Sequence, residues 1–302
     1  MKSSQNYIHN NKASLLSRVF HFFMWLLKTN KLIEKSLTKG KINQSAAPIP
    51  NSIKETYDVR EEILLSRKIW TIKPKNSSPK KTIIYMHGGA YIFNISKYHW
   101  EFISEILSKT NSRIIVVDYP LAPNNNYKDI YKLMDIVYSN TLSNIPAKEV
   151  IFLGDSAGAG FLLSFSQHLR NNNLEQAYKV ILLSPWLDLS MSNNKSSLNK
   201  DVVLSIKGLQ LAAKSIAGDL PLNDPKISPL FDDFDNLASI YIFIAGNELF
   251  YPDIIELKNK AASNKSNISY FEYPDMFHDW AIFTYLEESK IAIEQVSAII
   301  NN

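Results

Sequence analysis

From about residue 50 onward, short runs of β-branched and aliphatic residues alternate with longer stretches in which apolar residues recur every three or four positions. The short runs lie at 67–72, 82–86, 113–117, 150–153, 180–183, 240–245 and 268–273. Most are too uniformly apolar to have a wet face, so they predict strands buried on both sides of a parallel sheet. The longer stretches at 98–109, 127–140, 157–170, 253–263 and 285–300 predict the helices that cover it. This alternation implies an α/β fold with a mostly parallel, open, doubly wound sheet.

Two stretches depart from the rhythm. In 15–27, Leu15, Leu16, Val19, Phe20, Phe23, Leu26 and Leu27 share one helical stripe, with Ser17, Arg18, His21 and Lys28 opposite. The expectation is an amphipathic helix packed on the domain; contact with a membrane interface is the second reading. Ser17, Arg18 and His21 interrupt the apolar run, and its unbroken part, 22–27, is shorter than a signal-peptide core. Neither an export signal nor a spanning helix is therefore expected, and the expected location is the cytoplasm. The other departure, 190–237, is rich in Ser, Asn and Lys, holds a helix-period run at 206–217, and then carries Pro221, Pro225 and Pro229. It reads as an insertion, either a lid beside the ligand-binding end of the sheet or a surface excursion.

Composition narrows the function classes. With 45% hydrophobic and 21% charged residues in 302, the chain is neither disordered nor fibrous. Lys and Arg number 33 against 29 Asp and Glu, a net charge of +4 that gives no indication of a nucleic-acid partner. The absence of Cys excludes disulfides, a thiolate nucleophile, iron-sulfur clusters and cysteine zinc sites. Gly is scarce, nine in all, yet Gly88, Gly89, Gly154, Gly158, Gly160 and Gly246 all fall just after expected strands, where such sheets bind ligands.

Gly154-Asp155-Ser156-Ala157-Gly158 lies between the strand at 150–153 and a helix-period run, the context a G-x-S-x-G nucleophile elbow requires. Ser156 is the candidate nucleophile. A hydroxyl needs a base, and topology separates the histidines. His9 and His21 precede the domain and His99 and His168 lie within helical stretches, whereas His278 stands in the loop after the last strand. His278 is the candidate base. A carboxylate between the two should orient it, and Glu248, directly after the strand at 240–245, is the first candidate. Asp253 is the other and reads as a helix-start charge; Asp279 is expected to point away. For an oxyanion, the loop His87-Gly88-Gly89-Ala90-Tyr91 offers backbone N–H groups, with Gly89 and Ala90 as expected donors, Gly88 permitting the turn, and Ala157 adding a third donor.

These segments in this order resemble the hormone-sensitive-lipase-like branch of the α/β-hydrolase fold, which includes bacterial acetyl esterases and carboxylesterases. The resemblance spans roughly 80–285. It rests on the His87-Gly88-Gly89 loop, the elbow, Asp118-Tyr119-Pro120-Leu121-Ala122-Pro123, Ser184-Pro185-Trp186-Leu187-Asp188-Leu189 and the segment 273–280. Three departures stand out. Ala90 replaces the usual third glycine and is expected to restrict bulky acyl or alcohol groups. Pro120 and Asn124 replace the usual Arg and Glu, which implies a lost structural ion pair. The acid is Glu248, followed by Leu249-Phe250-Tyr251-Pro252-Asp253, as in members whose acid is Glu.

The resemblance further implies that residues 1–50 and the insertion 190–237 cap a catalytic domain of 51–302, with Phe and Trp side chains of 15–27 lining an acyl or alcohol pocket and Trp186 and Asp188 supporting the floor. The function it implies is a serine carboxylesterase acting on small esters of short to medium acyl chain through an acyl-serine intermediate. No metal or organic cofactor is implied, because no H-E-x-x-H, Walker loop or dinucleotide fingerprint occurs. An amidase or lipase of the same fold, a non-catalytic ligand-binding relative, and a membrane-surface protein are the alternatives; a dimer is compatible with the sequence.

Overall fold

A computed structural model describes residues 6–193, 201–262 and 266–302. The apolar runs become strands because their β-branched side chains pack on both faces of one sheet. In chain order the strands are β1 (Asn6–Ile8), β2 (Tyr57–Leu64), β3 (Arg67–Pro74), β4 (Thr82–Met86), β5 (Arg113–Val117), β6 (Val150–Asp155), β7 (Lys179–Leu183), β8 (Ser239–Ala245) and β9 (Ile268–Tyr273). The helices are α1 (Leu15–Leu27), α2 (Leu32–Thr38), α3 (Asn51–Thr56), α4 (Lys97–Thr110), α5 (Tyr127–Leu142), α6 (Ser156–Asn171), α7 (Ile206–Ile216), α8 (Tyr251–Ala262) and α9 (Glu287–Asn301).

The strands form one sheet in the order β1-β9-β8-β7-β6-β4-β5-β3-β2. Only β2 with β3 and β3 with β5 pair antiparallel; the remaining neighbours are parallel, as expected. Every residue of β4, β6 and β7 is buried. Alternate side chains serve two separate cores: Val150 and Phe152 pack with α5, α6 and α8, while Ile151 and Leu153 pack with α4 and α9. Strand order reverses beside β6 and β4, so their carboxyl ends define the crevice where such folds bind ligands.

Four of these elements, β1, β2, α2 and the short α3, lay outside the sequence expectation. β1 is three residues long and pairs parallel to β9, with Asn6 opposite Tyr270. β2 carries Asp58, Arg60, Glu61 and Glu62, and this charge suits an edge strand and hides the strand pattern. The short α2 packs on α7, which connects the N-terminal segment to the 190–237 insertion; residues 194–200 of that insertion lie outside the described residues.

Helix α1 has the expected bounds but is rotated from the expected orientation. Ser17 and Met24 are its buried residues, Phe20 packs on Phe277 and Phe283, and Leu15, Leu16, Val19, Phe23, Leu26 and Leu27 remain exposed. The helix packs on the domain as expected, but most of its apolar stripe does not face inward. Hydrogen bonding is the reason. Glu288 of α9 accepts from the Ser14 N–H (2.5 Å), the Ser14 hydroxyl (3.1 Å) and the Ser17 hydroxyl (2.5 Å), and so fixes which face turns inward. Ser14 also caps the helix by accepting the Ser17 N–H. No helix among the described residues is long and apolar enough to cross a membrane.

Burial raises the Glu288 carboxyl, but the hydrogen bonds from Ser14 and Ser17 outweigh it and leave the pKa lowered. A lowered folded-state pKa gives stability that is present above the unfolded value and lost as pH falls through the folded one. Glu288→Ala is expected to lower unfolding free energy by about 2 kcal/mol and to expose residues near Ser14 to limited proteolysis. In the wild type the same cleavage should appear only on acidification below the ordinary carboxylate range.

Candidate active site

The turn from β6 into α6 leaves no room for side chains on either side of Ser156. A Cβ on Gly154 would lie 2.8 Å from the Met86 carbonyl oxygen, and one on Gly158 would overlap that oxygen and come within 2.6 Å of the His87 carbonyl oxygen. Ser156 itself is held in the left-handed region at φ 48°, which costs a non-glycine residue about 1 kcal/mol or more. The strain lifts its hydroxyl above the carboxyl end of the sheet.

His278 meets that hydroxyl, with Nε2 2.9 Å from Ser156 Oγ. Its Nδ1 lies 2.6 Å from Glu248 Oε2, and the other oxygen, Oε1, accepts the Ala245 N–H at 3.0 Å. In the neutral imidazole Nδ1–H donates to Glu248, which leaves the Nε2 lone pair to accept the serine proton. Asp253 is buried in the first turn of α8 and takes a hydrogen bond from Asn193, and burial pushes its carboxyl up to about 8. It makes no contact with His278.

Asp279 does not point away as expected. Its backbone is left-handed, with φ 58°, and this turns Oδ2 to 3.2 Å from His278 Nε2. Burial would pull the His278 pKa down, but the Asp279 charge and hydrogen bond and the Glu248 carboxylate outweigh it and hold the imidazole well above its ordinary value. Burial raises Asp279 itself.

The loop at Gly88 is fixed by a carboxylate that sequence reasoning passed over. Asp155, fully buried one residue before Ser156, accepts from the Tyr85 hydroxyl, the Gly88 N–H (2.7 Å) and His99 Nε2 (3.2 Å). Because His99 Nδ1 accepts the Ser96 N–H at 2.9 Å, its proton sits on Nε2 and points at Asp155. Burial opposes ionisation of Asp155, yet His99 and the Tyr85 hydroxyl hold its pKa below the usual carboxylate value. The Gly88 N–H is thus committed to the scaffold. Gly89, Ala90 and Tyr91 follow with φ of 109°, 54° and 60°. No acceptor among the described residues takes the Gly89 or Ala90 N–H.

Gly89, Ala90, Ser156 and His278 open into one cavity of about 430 Å³. Much of its lining is apolar: Phe20, Phe23, Met24 and Leu27 of α1, with Leu32, Val203 and Leu204. The expectation that α1 lines the pocket thus holds for Phe20 and Phe23, while Phe22 and Trp25 are not among the lining residues. Beneath the site Trp186 stacks on Phe250 at 5.8 Å, and Phe250 meets the His278 ring edge-on at 5.1 Å. Asp188 accepts from the backbone and hydroxyls of Ser190 and Ser192, as a support would.

Neither Pro120 nor Asn124 can form the ion pair expected of those positions, and the neighbouring loop is held otherwise: Arg67 on β3 pairs with Asp118 and also donates to the Asp118 and Tyr119 carbonyls at 2.8 and 3.1 Å. A second missed residue, Asp201, is buried and accepts the N–H groups of Val203 and Leu204 and, at 2.9 Å, of Leu249, the neighbour of Glu248. Asn30 donates to the Asp201 carbonyl and Thr29 to that of Val202, so the N-terminal segment touches the same point.

Comparison with known proteins fits this geometry. The model of the alpha/beta hydrolase fold family matches residues 83–282. An esterase of Acinetobacter venetianus is 30% identical over 73% of this chain and 75% of its own, and an acetyl-hydrolase of Streptomyces hygroscopicus is 26% identical over the same shares. Among solved structures, a candidate esterase from Staphylococcus aureus superposes with a TM-score of 0.80 at 26% identity, over 92% of both chains.

Two outcomes follow from the buried charges. Asp155→Ala strands three buried donors and is expected to lower unfolding free energy by about 3 kcal/mol or more in urea titration. In NMR titration the His278 imidazole should change charge above the ordinary value of about 6.5, and Asp279→Asn, which removes the adjacent negative charge, should move that titration to lower pH.

Proposed function

This chain belongs to the alpha/beta hydrolase fold family, and we propose that it is a serine carboxylesterase acting on small esters of short to medium acyl chain. The observation that carries the reading is the line from Glu248 through His278 to Ser156, opening onto an apolar cavity beside two uncommitted backbone N–H groups. The relatives, an esterase and an acetyl-hydrolase, support ester chemistry and a small acyl group.

In the proposed reaction Ser156 Oγ attacks the ester carbonyl while His278 Nε2 takes the hydroxyl proton, and an Oγ–C bond forms. The carbonyl oxygen becomes an oxyanion held by the N–H groups of Gly89, Ala90 and Ala157. Gly88 supports this hole but does not donate into it, since its N–H is bound to Asp155. The tetrahedral intermediate breaks its C–O bond to the alcohol, which leaves with the proton from His278. Water then gives a proton to His278 Nε2 as its oxygen attacks the acyl carbon, and the C–Oγ bond breaks, releasing the acid while His278 returns the proton to Ser156 Oγ. Glu248 keeps the imidazole in the useful tautomer and stabilises the imidazolium. The Ala90 methyl narrows the cavity beside the reacting carbonyl.

We further propose that residues 1–50 and the insertion cap the site. The apolar wall from α1, the packing of α2 on α7 and the hydrogen bonds from Thr29 and Asn30 support this. The proposed location is the cytoplasm.

The test is turnover of p-nitrophenyl esters from acetate to palmitate by the purified protein. Activity should be highest on the shorter esters and should fall by about four to six orders of magnitude in Ser156→Ala or His278→Ala, and by about four in Glu248→Ala, with the fold retained. A folded wild type inert on every ester would sink the assignment, and a preference for palmitate would replace it with a lipase.

A further inference from the structure

The outward face of α1 is the largest apolar feature that the proposed reaction leaves unused. Leu15, Phe22, Trp25, Leu26 and Leu27 project from it, with exposures of 73% for Leu15, 62% for Trp25 and 70% for Leu27. Such a face on a water-soluble surface marks an interaction site. It is not a remote patch, because Phe23 and Leu27 on the same helix also line the mouth of the cavity that holds Ser156.

Charge identifies the occupant. Residues 1–50 contain seven Lys and one Arg against a single acid, Glu34, a net of +7 in a chain whose total is +4. Helix α1 has no acidic residue, and exposed Arg18, Lys28, Lys31, Lys35, Lys39 and Lys41 lie within it or follow it. Glu34 itself is taken up by Lys207 at 2.7 Å. Clustered aromatic and aliphatic side chains flanked by unbalanced lysines suit the boundary between acyl chains and anionic headgroups. At 13 residues α1 is too short to span, so it would lie in the interface. A second copy is the poorer match, since apposed α1 faces would bring two such basic segments together.

We propose that α1 docks on an anionic phospholipid surface and sets the mouth of the cavity against the bilayer. What docking would deliver, an ester partitioned into the lipid, rests on the esterase reading; the docking itself does not. Ser17, Phe20, Met24 and the Glu288 anchor hold the opposite face to the domain, so the apolar side chains can enter the lipid without unfolding of the helix.

The experiment is flotation of the full chain with vesicles of phosphatidylcholine containing phosphatidylglycerol, beside vesicles of phosphatidylcholine alone. The wild type should float with the anionic vesicles and at least about tenfold less with the neutral ones, and high salt should release it. Phe22→Ser/Trp25→Ser/Leu26→Ser and, separately, Lys31→Glu/Lys35→Glu/Lys39→Glu should each lower flotation about tenfold. None of these residues lines the cavity, so turnover of a soluble short ester should stay within about twofold. Ser156→Ala should float like the wild type, which separates failure of docking from failure of the esterase assignment. Absence of flotation, equal binding to both vesicles, or full binding by the triple serine variant would overturn the proposal. A dimer in sedimentation velocity that the serine variant dissociates, without flotation of the wild type, would assign the face to a second copy instead.

Discussion

The site depends on one buried negative charge. Asp155 has no access to solvent and would be costly there alone, yet three donors from three parts of the chain converge on it: Tyr85 on β4, Gly88 in the loop that follows, and His99 on α4. Because it immediately precedes Ser156, the same carboxylate that satisfies these donors also sets the distance between the serine and the Gly88-Gly89-Ala90 loop. The elbow is thereby registered against the loop through side-chain hydrogen bonds as well as through the sheet. Close approach of Gly158 to the ends of Met86 and His87 is the steric half of the same constraint.

Much of this was legible in the sequence, and for identifiable reasons. The buried strands announced themselves because a parallel strand covered on both faces has no polar positions to blur it, as at 82–86 and 180–183. Ser156, His278 and Glu248 could be found because each follows a strand, and the structure brings all three together as the order suggested. What escaped were features set by distant partners. Nothing near Asp201 tells that it will cap the N–H of Leu249, 48 residues on. Nothing near Asp118 tells that Arg67, on a strand 51 residues earlier, will pair with it. Asp279 was misjudged because alternation along the chain puts it opposite His278, whereas a left-handed backbone turns it back.

Helix α1 shows the limit of periodicity most clearly. The stripe of leucines and phenylalanines was real, but a stripe does not say which neighbour it faces. Three hydrogen bonds to Glu288, a residue far along the chain and itself within a helical pattern, decide the matter in favour of the serine-bearing face. The same helix then does two things a fully packed one could not. Its edge walls the cavity over Ser156, and its far side stays free.

The parallel pairing of β1 with β9 has a consequence for how the molecule is made. Asn6 sits opposite Tyr270, so β1 has no partner until β9 has been made. The Glu288 anchor of α1 comes later still. Until then α1 lacks its docking site, although the basic segment that follows it can already meet α7 and the carbonyls of Asp201 and Val202. A growing chain therefore exposes the apolar face of α1 and its basic flank until α9 is made, and chaperone capture or early contact with a surface would both act on that helix before it is anchored.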